Sequence, residues 1–231
     1  MNPGSAGGPH VFVADLEHPE LSDEDRRHLT RSLRLRPGDA FTISDGAGSW
    51  RACRLGSDPG GEAEPAGPVV PVPAPHPPLT IGFALIKGGR PELVVQKLTE
   101  LGVDTILPFI ADHSVVRWEP DRAARHTERL CRVAREAAMQ SRRVRLPEIG
   151  GVADYAGLAG LPGAVRADMD GDPPTLDRPV VLIGPEGGWS DAERNRLGAV
   201  RISPCVLRAE TAAITAAALL TALRDGLTRT Q

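Results

Sequence analysis

The chain has 231 residues and a formal net charge of −3, with 41% hydrophobic and 25% charged residues. This composition is that of a globular protein with one large or two modest domains, and the net charge does not point to a nucleic-acid partner. No stretch approaches the roughly 20 apolar residues that cross a bilayer, and residues 1–8 lack the basic and apolar regions of an export signal. We therefore expect a cytoplasmic protein with no membrane partner.

Metal and disulfide chemistry are not predicted either. The three cysteines are odd in number and far apart, which argues against a disulfide framework and against a zinc site. The six histidines show no spacing typical of metal ligands. We expect buried or incidental thiols in a reducing compartment.

Positive charge is distributed unevenly along the chain. Only two of the 27 basic residues are lysines, Lys87 and Lys97. Nine arginines lie between Arg117 and Arg145, and five more lie between Arg26 and Arg36. A biased genomic base composition would explain why arginine replaces lysine, but it would not explain the clustering. The clusters favour a cationic face on a weakly acidic protein.

Hydrophobic patterning and turn residues predict a small β-rich unit with one helix at the start of the chain. Ser22 can cap a helix whose first turn is acidic, and Asp45-Gly46 fits a hairpin turn. The predicted elements are a strand at 10–14, a helix from Ser22 to about Leu33, and strands at 40–44 and 49–55.

A segment rich in proline and glycine follows this unit. Residues 56–78 are dense in Pro, Gly, Ala and Glu and lack a sustained apolar period, which predicts a linker or long surface loop. We expect this segment to separate two domains, with residues 1–75 in the first and 76–231 in the second.

Strands and helices alternate after the linker, which predicts an α/β domain with a largely parallel sheet. The predicted strands are 79–86, 104–110, 144–149, 164–168 and 180–183, and the predicted helices are 91–101, 121–140 and 211–223. In the helix at 121–140, residues at three- and four-residue spacing share one face: Arg122, Arg125, Arg129, Arg132 and Glu136.

The most unusual segments lie near the C-terminus. Residues 183–189, Ile-Gly-Pro-Glu-Gly-Gly-Trp, directly follow the apolar strand at 180–183, and Ser190 can begin a helix. Residues 206–212, Val-Leu-Arg-Ala-Glu-Thr-Ala, open the alanine-rich last helix. A strand, a glycine turn and a helix N-terminus are the usual parts of a small-molecule site in an α/β protein. The turn matches neither the dinucleotide fingerprint nor a Walker A loop. A purely structural turn against a packing helix remains the alternative.

These two segments resemble motifs of the SPOUT class of S-adenosylmethionine-dependent RNA methyltransferases. Within that class they are similar to the RsmE type, which methylates N3 of a uridine in 16S ribosomal RNA of the small subunit. Residues 28–39, 96–103 and 136–143 are similar to three further signatures of that family, in the same order. The resemblance covers nearly the whole chain.

The resemblance implies both architecture and partners. The implied fold is α/β: a PUA-like β-barrel RNA-binding domain, then a SPOUT catalytic domain with a mostly parallel sheet and a C-terminal trefoil knot, a rare exception to unthreaded topology. The implied cofactor is S-adenosyl-L-methionine, and no metal is required. The implied partners are 16S ribosomal RNA or the small ribosomal subunit, and a second copy of the chain in a homodimer.

The chemistry of the implied reaction suggests catalytic residues. Uridine N3 carries a proton at neutral pH, so the enzyme must supply a base or stabilise the uridinate, and must hold N3 in line with the methyl group. We expect Arg208 to stabilise the uridinate and Glu186 or Glu210 to accept the proton. Glu186 could instead orient the turn, and Glu210 could instead favour the helix N-terminus.

The resemblance also implies binding residues. The sequence favours packing roles for Trp50, Trp118 and Trp189, and among them Trp189 has the best claim to line the pocket. The expected cofactor cradle is Leu182, Ile183, Gly184, Pro185, Glu186, Gly187, Gly188, Leu207, Arg208, Thr211 and Ala212. The expected RNA contacts are Arg31, Arg34, Arg132, Arg135, Gln140, Arg142 and Arg143.

Two other functions remain open on the sequence. One is a SPOUT enzyme that methylates a ribose 2′-hydroxyl of tRNA or rRNA, and the N-terminal signature and residues 136–140 argue against it. The other is a catalytically silent RNA-binding or ribosome-assembly protein, and the intact C-terminal motifs argue against that. The chain departs from the family pattern after Ser141, where the family often has glycine and this chain has Arg142.

Overall fold

The computed structural model of the protein describes Pro3 and residues 7–57, 61–87 and 90–228. The chain divides into two compact units. Unit 1 contains the chain up to Ala74 together with Arg135–Leu146, and unit 2 contains Pro75–Ala134 and the chain from Pro147 onward. Within the described ranges, no helix combines the length and the apolar character that crossing a membrane requires.

Unit 1 is built on a mostly antiparallel sheet. Its described elements are β1 (His10–Phe12), α1 (Asp23–Arg27), β2 (Ala40–Ser44), β3 (Ser49–Leu55), β4 (Ala63–Pro65) and β5 (Val70–Pro71). β1 pairs with β2 in parallel, while β2, β4 and β5 each pair with β3 in antiparallel fashion. The predicted strands at 10–14, 40–44 and 49–55 are confirmed, the first in shortened form.

The predicted helix at 22–33 is confirmed as α1 followed by one π-helical turn at His28–Ser32. The Ser22 hydroxyl accepts a hydrogen bond from the Asp25 amide at 3.0 Å, which satisfies one of the free amides at the helix start. Leu29 is fully buried against the sheet core. The segment ends at Arg34, whose φ of +58° lies in the left-handed region that favours glycine.

The prediction of a linker at 56–78 is wrong for the residues that form β4 and β5. Both strands pair with β3, and Ala63 is buried in the unit 1 core. The sequence did not predict these strands because each contains a proline, Pro65 in β4 and Pro71 in β5. Proline is tolerated in a strand where no partner strand needs its missing N–H. Residues 58–60 of the predicted linker lie outside the described residues.

Unit 2 carries a parallel sheet in the order β12-β10-β11-β6-β7-β8, with β9 pairing to β7. Its described strands are β6 (Thr80–Ala84), β7 (Thr105–Ile110), β8 (Glu148–Ile149), β9 (Ala153–Asp154), β10 (Ala164–Asp172), β11 (Val180–Ile183) and β12 (Ala199–Val200). The described helices are α2 (Arg90–Leu101), α3 (Pro120–Ser141), α4 (Tyr155–Leu158), α5 (Asp191–Arg196) and α6 (Ala209–Arg224). The residues of α3 from Arg135 onward belong to unit 1. The predicted α/β class with a parallel sheet is confirmed.

Two strands of unit 2 differ from their predicted bounds. β10 continues to Asp172, with a register shift against β12. The strand predicted at 144–149 is wrong for residues 144–147, and β8 begins at Glu148. The reason lies in unit 1, where the Leu146 amide donates to the Gly46 carbonyl at 2.9 Å and Arg145 forms a bridge to Ala47.

Side chains of β11 alternate between two separate apolar clusters, as the pleat of a strand requires. Val181 and Ile183 belong to the cluster that includes α2 and α6, while Val180 and Leu182 belong to the cluster with Trp189. A sheet with both faces covered explains why this strand is apolar throughout. In α6, small side chains that are fully buried permit the close approach of α2 and β6: Ala213, Ala216 and Ala217.

Candidate active site

A cavity of about 200 Å³ lies in unit 2 beside the glycine turn at residues 184–188. The cavity lies at the C-terminal end of β11 and beside the middle of β10. The carboxyl end of a strand is the usual place for a ligand in an open α/β sheet. The first residues of α6 and the loop before it form the facing wall. The residues that line the cavity include Asp168, Ile183, Gly184, Pro185, Glu186, Gly188, Leu207, Ala209 and Ala212.

The turn depends on glycine at two positions for different reasons. The Gly188 amide donates to the Pro185 carbonyl at 2.9 Å, and Gly188 has a φ of +74°. A Cβ on Gly184 would lie 2.8 Å from Cε2 of the Trp189 ring, closer than side-chain atoms approach one another. The sequence therefore places exposed backbone, rather than side chains, against the cavity.

Trp189 both anchors the turn and lines the cavity. Its indole N–H donates to the Ala167 carbonyl at 3.0 Å, and its ring stacks on Phe109 with centroids 6.2 Å apart and planes inclined by 8°. Trp189 is 7% exposed. The packing role and the pocket-lining role that the sequence left as alternatives are combined in one side chain.

The end of the turn is fixed by a buried carboxylate. Glu193 forms a capping box with Ser190, and its other oxygen accepts from the Asp112 amide at 3.0 Å. The Tyr155 hydroxyl donates to the Glu193 carbonyl at 2.7 Å. Burial, aided by the Glu193 charge, raises the pKa of Tyr155, so this phenol stays a donor.

Arg90 connects the two carboxylates that sequence reasoning proposed as proton acceptors. Its Nη1 lies 3.2 Å from Oε1 of Glu186 in the glycine turn, and its Nε lies 3.8 Å from Oε1 of Glu210 in α6. Sequence reasoning missed Arg90, because it stands 96 positions before Glu186. Its place at the start of a helix gave no signal of this contact.

A second polar group missed in the sequence lies in the middle of β10. The Asp168 carboxylate lines the cavity and accepts hydrogen bonds from Arg166 and, at 2.5 Å, from Nη1 of Arg194. Arg166 also binds Asp170, and this hydrogen bond holds the pKa of Asp170 below its usual range. Two guanidinium groups therefore fix the orientation of Asp168.

The structure places part of the predicted cofactor cradle at the cavity. Leu182 is fully buried on the face of β11 opposite to Ile183. The Gly187 carbonyl accepts a hydrogen bond from Nδ1 of His113 at 3.2 Å. Arg208 and Thr211 are exposed at the start of α6. The predicted residues that line the cavity are Ile183, Gly184, Pro185, Glu186, Gly188, Leu207 and Ala212.

The predicted RNA contacts differ in their surroundings. In unit 1, Arg135 donates to Asp25 at 2.7 Å and lies over the Phe12 ring at 5.3 Å, while Arg142 and Arg143 are half-buried. Arg142 has a φ of +56°, at the position where the family often has glycine. The exposed members are Arg31, Arg34, Arg132 and Gln140. The predicted arginine face of α3 is confirmed as exposed: Arg122, Arg125, Arg129, Arg132 and Glu136.

Across the described ranges, no group of three or more His, Cys, Asp or Glu side chains is placed to hold a metal ion.

Comparison with known proteins assigns both units to one family. Residues 73–221 match the RNA methyltransferase domain family, and residues 21–63 match the RNA methyltransferase PUA domain family. The chain is 32% identical over 212 residues to the ribosomal RNA small subunit methyltransferase E of Mycobacterium tuberculosis, covering 82% of this chain and 80% of the relative. The chain belongs to the methyltransferase E family. The protein of that name from Synechocystis is 31% identical over 226 residues, covering 89% and 73% of the two chains.

Solved structures agree with this membership. The methyltransferase E of Neisseria gonorrhoeae, bound to S-adenosyl methionine, matches with a TM-score of 0.77 and 26% identity, over 93% of this chain and 97% of that one. A Legionella pneumophila protein in complex with S-adenosyl methionine matches with a TM-score of 0.76 and 26% identity, over 92% and 96%. The family resemblance and the fold class predicted from the sequence are confirmed.

Proposed function

We propose that the protein transfers a methyl group from S-adenosylmethionine to N3 of a uridine in 16S ribosomal RNA of the small subunit. The observation that carries the proposal is the cavity beside the glycine turn at the end of β11, in a chain that belongs to the methyltransferase E family. We further infer that it works in the cytoplasm as a homodimer. The predicted trefoil knot and the domain division at residues 75 and 76 stay predictions.

The cavity residues fit the proposed cofactor chemically. Bare backbone at Gly184 and Gly188 allows a planar base to approach, and Leu207 and Ala212 offer an apolar surface. Asp168 presents carboxylate oxygens that can accept from hydroxyl or ammonium donors. S-adenosylmethionine, when bound, supplies a methyl group made electrophilic by its sulfonium sulfur.

We propose that the rest of the predicted cradle acts at the edge of this cavity. Leu182 supports the strand from the core, and Gly187 holds the turn through the hydrogen bond from His113. Arg208 and Thr211, exposed at the start of α6, face incoming substrate.

The proposed chemistry assigns Arg208 to the uracil. Methylation at N3 requires that the N3 proton leaves, and negative charge then spreads onto the uracil carbonyl oxygens. The Arg208 guanidinium is exposed at the N-cap of α6, where it can donate to those oxygens. Glu186 and Glu210, joined through Arg90, are the candidates to accept the proton.

The decisive experiment is methyl transfer from labelled S-adenosylmethionine to small ribosomal subunits from cells that lack this gene, followed by nucleoside analysis. We expect label in 3-methyluridine, with no label on ribose. Label on a ribose oxygen would replace the N3 assignment with the 2′-hydroxyl alternative. Cofactor and RNA binding without any transfer would favour the silent RNA-binding function.

We propose that the exposed basic residues of unit 1 contact RNA phosphates, with Gln140 of α3 and the half-buried Arg142 and Arg143 adding to this surface. Arg132, which belongs to unit 2, is proposed separately as an RNA contact. We also propose Arg135 as an RNA contact, and its guanidinium binds Asp25 as well. Replacing both Arg31 and Arg34 with glutamine is expected to weaken RNA binding and to reduce the slope of log K against log[salt] by about 0.7–0.9 per lost phosphate contact.

The salt dependence would be measured by filter binding to 16S ribosomal RNA. The matched control is the double replacement of Arg178 and Arg201 with glutamine, since both are exposed arginines outside the proposed RNA surface. Equal slopes for the two double variants would contradict a specific role for Arg31 and Arg34.

A further inference from the structure

The two carboxylates joined by Arg90 differ in how well they are satisfied. The Glu186 side chain is 50% exposed, so water can complete its hydrogen bonds, whereas the Glu210 side chain is 14% exposed. Oε2 of Glu210 is buried and has no hydrogen-bond partner among the described residues. A buried oxygen without a donor destabilises the folded state, so this atom needs a donor from elsewhere.

We propose that Oε2 of Glu210 accepts the N3 proton of the target uracil, and that Arg90 is the positioning residue that keeps Glu210 oriented for it. This proposal rests on the proposed methyl transfer to N3 and names the proton acceptor of that reaction.

The location of Glu210 supports this role. Ala209 and Ala212, on either side of it in α6, line the cavity, and so does Glu186, which shares its arginine. Glu210 itself is not part of the lining, but it adjoins the lining through its neighbour Ala209 and through Arg90. Oε2 of Glu92 is also buried and unpartnered among the described residues, but the partner of Glu92 is Arg129, at 3.0 Å, whereas the partner of Glu210 also binds Glu186 of the cavity wall.

Arg90 restrains Glu210. Its Nε lies 3.8 Å from Oε1 of Glu210, which is too far for a hydrogen bond but within the distance of an ion pair. Its Nη1 is engaged by Glu186, which holds the guanidinium in place. The charged group that contacts Glu210 is Arg90 from α2, which also binds Glu186 of the turn, and Arg208 precedes Glu210 by two positions at the N-cap of α6.

The proposed step balances without a further reactant. The N3–H bond breaks and its proton passes to Oε2 of Glu210. The electron pair on N3 forms the bond to the methyl carbon, while the carbon–sulfur bond breaks and its electron pair stays on sulfur. Glu210 then releases the proton to solvent and regains its charge.

The test is kcat against pH for methyl transfer to small ribosomal subunits, with cofactor and subunits saturating, alongside calorimetric binding of S-adenosylmethionine. In Glu210→Gln, kcat is expected to fall roughly 100-fold or more, the acid limb of the pH profile is lost, and cofactor affinity stays within about twofold. In Arg90→Gln, kcat is expected to fall while cofactor affinity stays within about twofold, and Arg90→Lys is expected to recover part of the lost kcat.

Two further Glu→Gln variants separate this role from a structural one. Glu186→Gln removes the other carboxylate on Arg90, and Glu92→Gln removes a carboxylate of similar burial that pairs with Arg129. Both variants are expected to keep the acid limb of the profile of kcat against pH. If Glu210→Gln unfolds, Glu210→Asp replaces it, and we expect a folded protein with a lower kcat that retains the limb.

Several outcomes overturn the inference. If Glu210→Gln keeps kcat within tenfold of the wild type and its pH profile keeps the acid limb, Glu210 is not the proton acceptor. The proposed methyl transfer to N3 would still stand. Weaker cofactor binding with unchanged kcat shows that Oε2 holds the cofactor instead. A wild-type protein that binds cofactor and transfers no methyl group to N3 overturns the proposed function and this inference together.

Discussion

Gly184→Ala is expected to weaken S-adenosylmethionine binding at least about tenfold, which corresponds to roughly 1.4 kcal/mol. The new Cβ would lie 2.8 Å from Cε2 of Trp189 and 3.1 Å from Cζ2. The ring cannot yield easily, because it stacks on Phe109 and its N–H is bound to the Ala167 carbonyl. Either the turn or the tryptophan must move, and both form the cavity wall. Forcing extra atoms into such a site costs about 1–3 kcal/mol of stability.

Isothermal calorimetry and urea unfolding would measure these two effects of Gly184→Ala. Gly198→Ala is the matched control, because a Cβ there meets no heavy atom within 4 Å and its φ is not positive. Gly188→Ala tests backbone strain without a steric clash. A Cβ on Gly188 would meet no heavy atom within 4 Å, but the φ of Gly188 is +74°. We expect Gly198→Ala to bind like the wild type and Gly188→Ala to lose about 1 kcal/mol of stability. Wild-type affinity in Gly184→Ala would refute the steric argument.

Local signals in the sequence were sufficient to predict most of the fold. Ser22 and Ser190 mark helix starts because hydroxyl caps act on amides two or three residues away, and β11 is recognisable because a strand covered on both faces is continuously apolar. The signals failed where pairing partners are distant. β4 and β5 contain prolines that suggest a loop, and only their pairing with β3 makes them strands. Residues 144–147 are apolar enough for a strand, but hydrogen bonds to the loop at Gly46 decide their conformation.

The candidate site shows the same division between local and distant information. The glycine turn and the start of α6 were recognisable because each is a short, unusual segment. Arg90 and Asp168 were missed because their importance depends on contacts across the fold. Periodicity reports which face a residue occupies, and not which distant carboxylate its guanidinium meets. The functional differences between Glu186 and Glu210 likewise depend on burial, which the sequence does not specify at helix and turn ends.

The free energy of unfolding is expected to fall by roughly 3 kcal/mol between about pH 6.5 and pH 4 because of His10 alone, at about 1.36 kcal/mol per pKa unit. His10 is 2% exposed, and its ring nitrogens lie 2.8 Å from the Thr42 hydroxyl and 3.0 Å from the Ser44 hydroxyl. Burial lowers the pKa of His10 from 6.5 to about 4, and the Arg142 charge adds to this while a backbone hydrogen bond at Arg143 opposes it. The unfolded chain therefore binds a proton in this pH range that the folded chain does not bind, so acid favours unfolding.

Urea unfolding between pH 4 and 8 would test the role of His10 by comparing the wild type with His10→Gln, which keeps polar atoms but does not titrate. His10→Gln is expected to be less stable than the wild type at pH 7.5, because the glutamine amide cannot reproduce both hydroxyl contacts. Its stability should nevertheless fall by roughly 3 kcal/mol less on acidification, since one protonation difference between the folded and unfolded states is gone. His18→Gln controls for loss of a histidine, because the His18 side chain is 90% exposed. Parallel stability curves for the wild type and His10→Gln would show that His10 is protonated in the folded protein, and that its surroundings do not exclude charge.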